Sequence, residues 1–338
     1  MSSHQLIRRF VIVAAVAASV TLSAQSLTIK MGTVVPKNSP WVDTLLTMGQ
    51  AWEKATGNRV RLTAFGSLPS DSSIVKRMGT GGLEAGALSI MGLSEIDETI
   101  NALGIPFFFE NDAEFSHVLE KLTPMLKARL AAKRFHLLLW GHGGWIQVFS
   151  KKPIRTFADL QRAALWTSDG DPKMVQWYTA NGFRPVPRPA GDIPVQLKLP
   201  TGAIDATPSP PTVALTMQFY KDAPYMLDAH VAPLIAGVVI TDAAWNRLSQ
   251  DDRTRMLAIA KETEKKLFSQ AAGLDTSHIK AMQAAGLQVV TLDAAATKTF
   301  RAAADKLTTS MRGGMVPAEI YDLALRERDA YRKTQSGR

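Results

Sequence analysis

The residues of this chain that could do catalytic or metal chemistry are scattered along its 338 positions. No cysteine is present, which excludes disulfides, thiolate nucleophiles, iron–sulfur clusters, cysteine zinc sites and a lipid anchor on cysteine. No two histidines have metal-site spacing, and the motifs of serine hydrolases, zinc proteases and phosphate-binding loops are absent. We therefore expect no enzyme, cofactor or metal. The alternative is a periplasmic hydrolase or lyase on a two-lobed fold, in which His142 would meet Asp169 or Asp171 and a serine.

Strands and helices alternate along the chain, which predicts an α/β fold. The elements of the first unit are predicted at 27–35, 41–55, 59–65, 70–78 and 83–91. This β-α-β-α-β order implies parallel strands with helices on both faces of the sheet. A second unit of the same kind begins after Pro153.

Three later segments connect the two predicted units. A long strand is predicted over 135–150, and the apolar run 232–241 predicts a strand that returns to the first sheet. Residues 243–285 read as almost wholly helical, with Gly273 as the expected place for an interruption. Ligands of such proteins bind in a cleft at the carboxyl ends of parallel strands.

The first 26 residues predict a secretory signal peptide. Arg8 and Arg9 precede an apolar stretch over 10–22 that is too short to span a bilayer, and cleavage is expected within 23–26. A buried first strand or an uncleaved anchor is the alternative. The net charge of +9 comes from dispersed basic residues, which argues against nucleic acid as a partner. We expect an exported protein of the periplasm.

Short stretches along nearly the whole chain carry a family resemblance. They are MGTVVP at 31–36 with SPW at 39–41, IPFFF at 105–109, FSKKPI at 149–154 with DL at 159–160, and LKLPTGAIDA at 197–206. In this order and spacing they resemble the solute-binding proteins of tripartite ATP-independent periplasmic (TRAP) transporters, dicarboxylate-binding (DctP) type.

The resemblance implies a two-lobed, type II-like periplasmic binding protein with a long helix bracing both domains. Domain I would comprise 27–148 and 233–262, domain II 149–232 and 286–335, and the bridging helix 243–285. The implied partners are a small-molecule ligand and the TRAP membrane permease subunits. A ligand sensor for a histidine kinase and a lipid chaperone are alternatives within the binding class.

Trp166 departs from the pattern of the acid-binding members of this family. Those members carry an arginine that clamps the ligand carboxylate on the strand after the Asp-Leu pair, and Trp166 holds that position here. Tryptophan offers an apolar face and one N–H donor, and it cannot neutralise a carboxylate.

A subset of the family with tryptophan at this position resembles the chain more closely. It shares the segments at 170–172, 185–187 and 209–210. This likeness implies a hydrophobic or amphipathic monocarboxylate as ligand and, for some members, a helical-repeat lipoprotein as a further partner. The alternative is that Trp166 is a core residue. In that case Arg184, Arg188 or Lys198 would clamp a small hydrophilic acid.

Eight residues are the predicted ligand contacts. They are Trp41, Phe108, Trp145, Trp166, Thr167, Asp171, Ser209 and Gln218. The aromatic side chains would supply apolar contact, and the polar ones would orient the ligand. Each aromatic residue could instead belong to the core. Asp171 also reads as the N-cap of a helix that begins at Pro172.

Overall fold

The computed structural model describes residues 26–37, 39–200 and 204–336, so the predicted signal peptide lies outside the described residues except for Ser26. The strands within these ranges are β1 Leu27–Thr33, β2 Val60–Phe65, β3 Ala85–Ser89, β4 Phe135–Ser150, β5 Ala164–Ser168, β6 Arg184–Arg188, β7 Ala206–Ser209, β8 Tyr225–Thr241 and β9 Gln288–Val290.

The helices pack on both faces of these strands. They are α1 Pro40–Ala55, α2 Asp71–Gly79, α3 Ile90–Ile96, α4 Asp112–Ala132, α5 Phe157–Arg162, α6 Pro172–Ala180, α7 Ile193–Lys198, α8 Pro211–Thr216, α9 Asp242–Trp245, α10 Gln250–Ala284, α11 Ala294–Thr309 and α12 Ala318–Ser336. Short 3₁₀ helices lie at Glu98–Gly104, Ala190–Asp192 and Phe219–Lys221. The predicted α/β class is confirmed.

One sheet runs through the protein in the order β2-β1-β3-β8-β4-β7-β5-β6, with β9 beside β8. Strands β1, β2 and β3 are parallel to one another, and β5, β6 and β7 form a second parallel group. The antiparallel pair β4–β8 joins the two groups. Each parallel group therefore has its own edge of carboxyl ends where a ligand could be held.

Side-chain caps begin the helices at the residues that the sequence predicts. Ser39 Oγ accepts the N–H of Val42 at 3.3 Å, and Asp171 Oδ1 accepts the N–H of Met174 at 3.0 Å. Each cap satisfies an N–H group that has no partner within its helix. The capping prediction for Asp171 is confirmed.

The strand β8 begins at Tyr225, earlier than the predicted 232–241. Its first residues pair with the end of β4, where Ser150 lies opposite Tyr225, and its last residue lies opposite Phe135. Residues 225–231 mix exposed and buried side chains, so they lack the continuous apolar run that marks the later part of the strand.

The predicted helix over 243–285 is two helices, α9 and α10, and the break lies at residues 246–249 rather than at Gly273. Ser249 Oγ accepts the N–H of Asp252 at 3.1 Å and so begins α10. The long helix α10 contacts α1 and β4 from the first half of the protein and α8 from the second half of the protein. Near its ends, Trp52 Nε1 donates to the carbonyl of Met256 at 3.2 Å, and Thr212 Oγ1 is 2.9 Å from His278 Nδ1.

Replacing Gly144 of β4 by alanine is expected to destabilise the fold. Gly144 has a φ of 95°, and a Cβ there would overlap the carboxylate of Asp275 on α10. We expect the Gly144→Ala variant to lose more than about 2 kcal/mol of unfolding free energy in urea denaturation. Gly273→Ala is the control, because among the described residues no atom outside its chain neighbours and the adjoining helix backbone lies within 4 Å of a Cβ there. It should gain up to about 1 kcal/mol. Equal stability of the two variants would contradict this account of Gly144.

Candidate functional site

The carboxyl ends of the first parallel group carry exposed apolar side chains. Val34 follows β1, Phe65 ends β2 and Met91 lies just after β3, and all three are exposed. Covering large apolar side chains with a ligand is favourable because it removes apolar surface from water. This edge therefore suits an apolar part of a ligand.

The carboxyl ends of the second parallel group carry Trp166 and Arg188. Trp166 is half-buried, and its indole Nε1–H donates to the backbone carbonyl of Arg188 at 3.0 Å. One side of the indole packs against a cluster of buried residues that includes Ile193 and Phe219. Trp166 touches the core and also stays open to solvent. Its position therefore fits in part both the prediction of a ligand contact and the prediction of a core residue.

Two hydroxyl groups lie at the same edge. Thr167 is 4% exposed, and its Oγ1 has no hydrogen-bond partner among the residues the structure describes. Ser209 ends β7, is also 4% exposed, and pairs with Gln147 of β4. A buried hydroxyl without a partner costs free energy that a ligand's polar group could recover.

Trp41 lies in the first turn of α1, on the first half of the protein. It is half-buried, and its ring packs against Gly141 of β4, where a Cβ would come within 2.9 Å of the indole. The glycine therefore leaves the space that this indole fills. Trp41 and Trp166 thus stand on different halves of the sheet.

Phe108 belongs to the core, and we withdraw it from the predicted site. Its side chain is 0% exposed, makes edge contacts with Phe109 and Tyr321, and lies 4.3 Å from the guanidinium carbon of Arg328. The chain turns at Phe107, which has a φ of 59°. Sequence alone could not tell which phenylalanine of this turn is enclosed.

Trp145 is also enclosed, by contacts at the bulge of β4. It is 3% exposed, stacks on His230 with ring centroids 4.2 Å apart, and donates from Nε1 to Asp112 Oδ1 at 2.8 Å. Its backbone N–H donates to Asp275 Oδ2 at 2.7 Å. These contacts occupy its ring and its indole N–H, so the prediction of a ligand-facing Trp145 is corrected to a structural one.

Gln218 and Asp171 stay predictions as ligand contacts. Gln218 is exposed with a φ of 59°, and its Oε1 accepts from Lys221 Nζ at 2.7 Å. Asp171 already caps α6. Each of these two side chains has a hydrogen-bond partner, whereas Thr167 Oγ1 has none among the described residues.

Burial shifts the pKa values of two polar side chains near Trp145. Burial lowers the pKa of His142 to about 4, and burial raises the pKa of Asp275 to about 6, with the Trp145 N–H opposing that rise. His142 Nδ1 accepts the Gly144 N–H at 3.2 Å, so the neutral ring carries its proton on Nε2, 3.7 Å from Asp112 Oδ1.

The alternative catalytic set is not assembled around His142. Its ring contacts are Phe115, Trp145 and Phe268, and no described contact joins it to Asp169, Asp171 or a serine. Within the ranges that the structure describes, no three His, Asp or Glu side chains could hold a metal ion.

A cavity of ≈ 250 Å³ lies elsewhere, between the turn at 107–110, the first part of β8 and α11. None of the eight predicted residues lines it. Its charged groups neutralise one another, since Arg301 is 3.0 Å from Glu110 and Arg332 is 2.8 Å from Glu114. We take these ion pairs as links between helices, and not as a ligand site.

Comparison with protein families matches residues 31–313 to the bacterial extracellular solute-binding proteins, family 7. The chain belongs to this family. The predicted resemblance to TRAP solute-binding proteins is thereby confirmed. No helix among residues 26–37, 39–200 and 204–336 has the length and apolar character needed to cross a membrane.

Among family 7 relatives, the chain is similar to the 2,3-diketo-L-gulonate-binding periplasmic protein YiaO of Escherichia coli (strain K12). The two are 28% identical over 211 residues, which is 61% of this chain and 62% of YiaO. The chain thus spans less than two thirds of that relative.

Solved structures of TRAP solute-binding proteins share the fold. The protein from Ochrobactrum anthropi superimposes with a TM-score of 0.83 at 20% identity, covering 92% of this chain and 97% of that one. DctP7 of Bordetella pertussis, a receptor binding pyroglutamic acid, has a TM-score of 0.75 at 16% identity and covers 90% and 100%. The predicted two-lobed fold is confirmed.

The Asp275→Asn variant tests the electrostatics of the buried cluster. Because the folded-state pKa of Asp275 is raised from 3.8 to about 6, the folded protein holds an extra proton in this range, and stability falls as pH rises through it. His142, whose pKa is lowered, opposes this trend in the wild type.

Asp275→Asn should therefore gain stability over the wild type as pH rises from about 4 to 6, by at most about 3 kcal/mol. Urea denaturation at several pH values measures it. Glu262→Gln, at an exposed position of α10, is the control and should stay within about 0.5 kcal/mol. A constant difference for Asp275→Asn across this range would contradict the raised pKa.

Proposed function

We propose that this protein is the exported solute receptor of a TRAP-type secondary transporter and that it captures a hydrophobic or amphipathic monocarboxylate. The lobes would be 27–148 with 233–262 and 149–232 with 286–335. The ligand would lie between their carboxyl edges and be handed to the membrane permease. Closure around it would follow from contacts to both edges, since a ligand shifts a conformational equilibrium only by its differential affinity.

The single observation that carries this proposal is the half-buried indole of Trp166 at the carboxyl edge of β5. Exposed apolar side chains at Val34 and Phe65 occupy the corresponding edge of the other half. A ligand with an apolar body would bury surface on both sides, at about 25 cal/mol per Å².

The ligands of relatives support a carboxylic acid as the ligand class. YiaO binds 2,3-diketo-L-gulonate, and DctP7 binds pyroglutamic acid. Both are small acids and more polar than the ligand that Trp166 favours. The partners we propose are the permease subunits and a helical-repeat lipoprotein, and delivery by an N-terminal signal peptide places the protein in the periplasm.

Native mass spectrometry of the purified protein, followed by extraction of bound molecules, tests the ligand class. Titration calorimetry then compares octanoate and phenylacetate with succinate and D-glucuronate. We expect a co-purified apolar acid, or preferential binding of octanoate or phenylacetate. Preferential binding of succinate or D-glucuronate would overturn the apolar ligand and leave a receptor for hydrophilic acids. Hydrolysis of octanoate esters by the protein would overturn the binding-only function.

The Trp166→Ala variant is expected to bind octanoate on the order of 10- to 100-fold more weakly than wild type. The loss follows from removing the apolar face of a large side chain from the site. Trp166→Phe keeps an apolar face without the N–H group and should stay within about 5-fold of wild type. Calorimetry measures both, and unchanged affinity of the alanine variant would show that the indole belongs only to the core.

A further inference from the structure

We propose that Arg188 binds the carboxylate of the ligand, an assignment that rests on the proposed function. Arg188 ends β6 at the carboxyl edge, two residues beyond Val186, the residue that pairs with Trp166, and its side chain is exposed. An acid held at this edge needs a positive charge, and the guanidinium can form two parallel hydrogen bonds to a carboxylate.

Arg188 and Trp166 project from the same face of the sheet. In the parallel pair β5–β6, Ser168 lies opposite Arg188, and Trp166 lies two residues before Ser168. Side chains two apart on a strand share a face, and residues opposite one another on neighbouring strands do as well. Trp166 and Arg188 therefore share one face of the sheet in a diagonal arrangement, where an apolar body and one carboxylate of the same ligand could reach both side chains.

The positive charge of Arg188 is not neutralised within the structure. Its Nη1 donates to the carbonyl of Pro187 at 2.9 Å, and no carboxylate of the described residues lies within 4.0 Å of the guanidinium. Many other arginines form ion pairs, for example Arg59 with Asp252 at 2.6 Å. A guanidinium without a carboxylate neighbour can pair with the carboxylate of a ligand without breaking an ion pair first.

Trp166 also holds the backbone from which this side chain extends. The indole Nε1–H donates to the backbone carbonyl of Arg188 at 3.0 Å, which ties the end of β6 to β5. In the proposed site Trp166 thus holds the end of β6 in addition to offering the ligand an apolar face.

The other end of β6 supplies the matched control. Arg184 lies on the same strand and the same face, but at the amino end, about 13 Å away at 3.3 Å per residue. It is exposed as well, and its Nη1 donates to the carbonyl of Arg162 at 3.1 Å. A general effect of removing one positive charge would affect both positions alike, whereas a carboxylate contact affects only Arg188.

The test compares octanoate with octanamide, which has the same apolar chain and no charge. We expect the wild type to prefer octanoate on the order of 10-fold or more, because charge-assisted hydrogen bonds are lost in the amide. Arg188→Gln should bring this ratio close to 1. Arg188→Lys should keep part of it, and Arg184→Gln should keep all of it. Circular dichroism checks that each variant is folded.

The outcomes separate the two proposals. Loss of the preference in Arg188→Gln alone supports the assignment. A preference that survives in Arg188→Gln, or that falls equally in Arg184→Gln, overturns it. If the wild type binds D-glucuronate and not octanoate, the apolar ligand fails. The same variants are then titrated with D-glucuronate and with uncharged D-glucose. Loss of the preference for D-glucuronate in Arg188→Gln alone supports the assignment, and a preference that survives in this variant overturns it.

Discussion

The antiparallel pairing of β4 with β8 is the constraint on which the rest of the structure depends. These two strands run from Phe135 opposite Thr241 to Ser150 opposite Tyr225, and they are the link between the two parallel groups of the sheet. The register shifts between His142 and Trp145, where Gly144 allows the positive φ. The register shifts twice more, at 137–139 and 146–148, and the pair links two parallel groups whose carboxyl ends lie at separate edges.

The candidate site follows from this arrangement. Each parallel group presents its carboxyl ends at its own edge, so Trp41 and Val34 lie on one lobe and Trp166 and Arg188 on the other. One hydrogen bond from the indole ties β5 to the end of β6, where the exposed Arg188 lies. The proposed site would select its ligand by shape and charge, which fits a member of a solute-binding family.

The sequence predicted the elements well wherever local signals exist. Caps at Ser39 and Asp171 and the bounds of β4 follow from residue type alone. The break before α10 had a signal as well, since a serine at 249 with two aspartates in the next turn, Asp251 and Asp252, is typical of a helix start. Burial was harder to predict. An enclosed Trp145 and a half-buried Trp166 look alike in sequence, because the residues that enclose Trp145 include Asp275, 130 positions away.

The charge of the site could not be assigned from sequence, since Arg184 and Arg188 differ only in which end of β6 they occupy.

The central claim is that the two lobes close around an organic acid. Because the chain has no cysteine, spin labels can be placed on cysteines introduced at Gln50 of α1 and Val195 of α7, both exposed. Pulsed electron–electron distance measurement should give a shorter distance in protein saturated with octanoate than in ligand-free protein. The same distance distribution in both states would contradict the account.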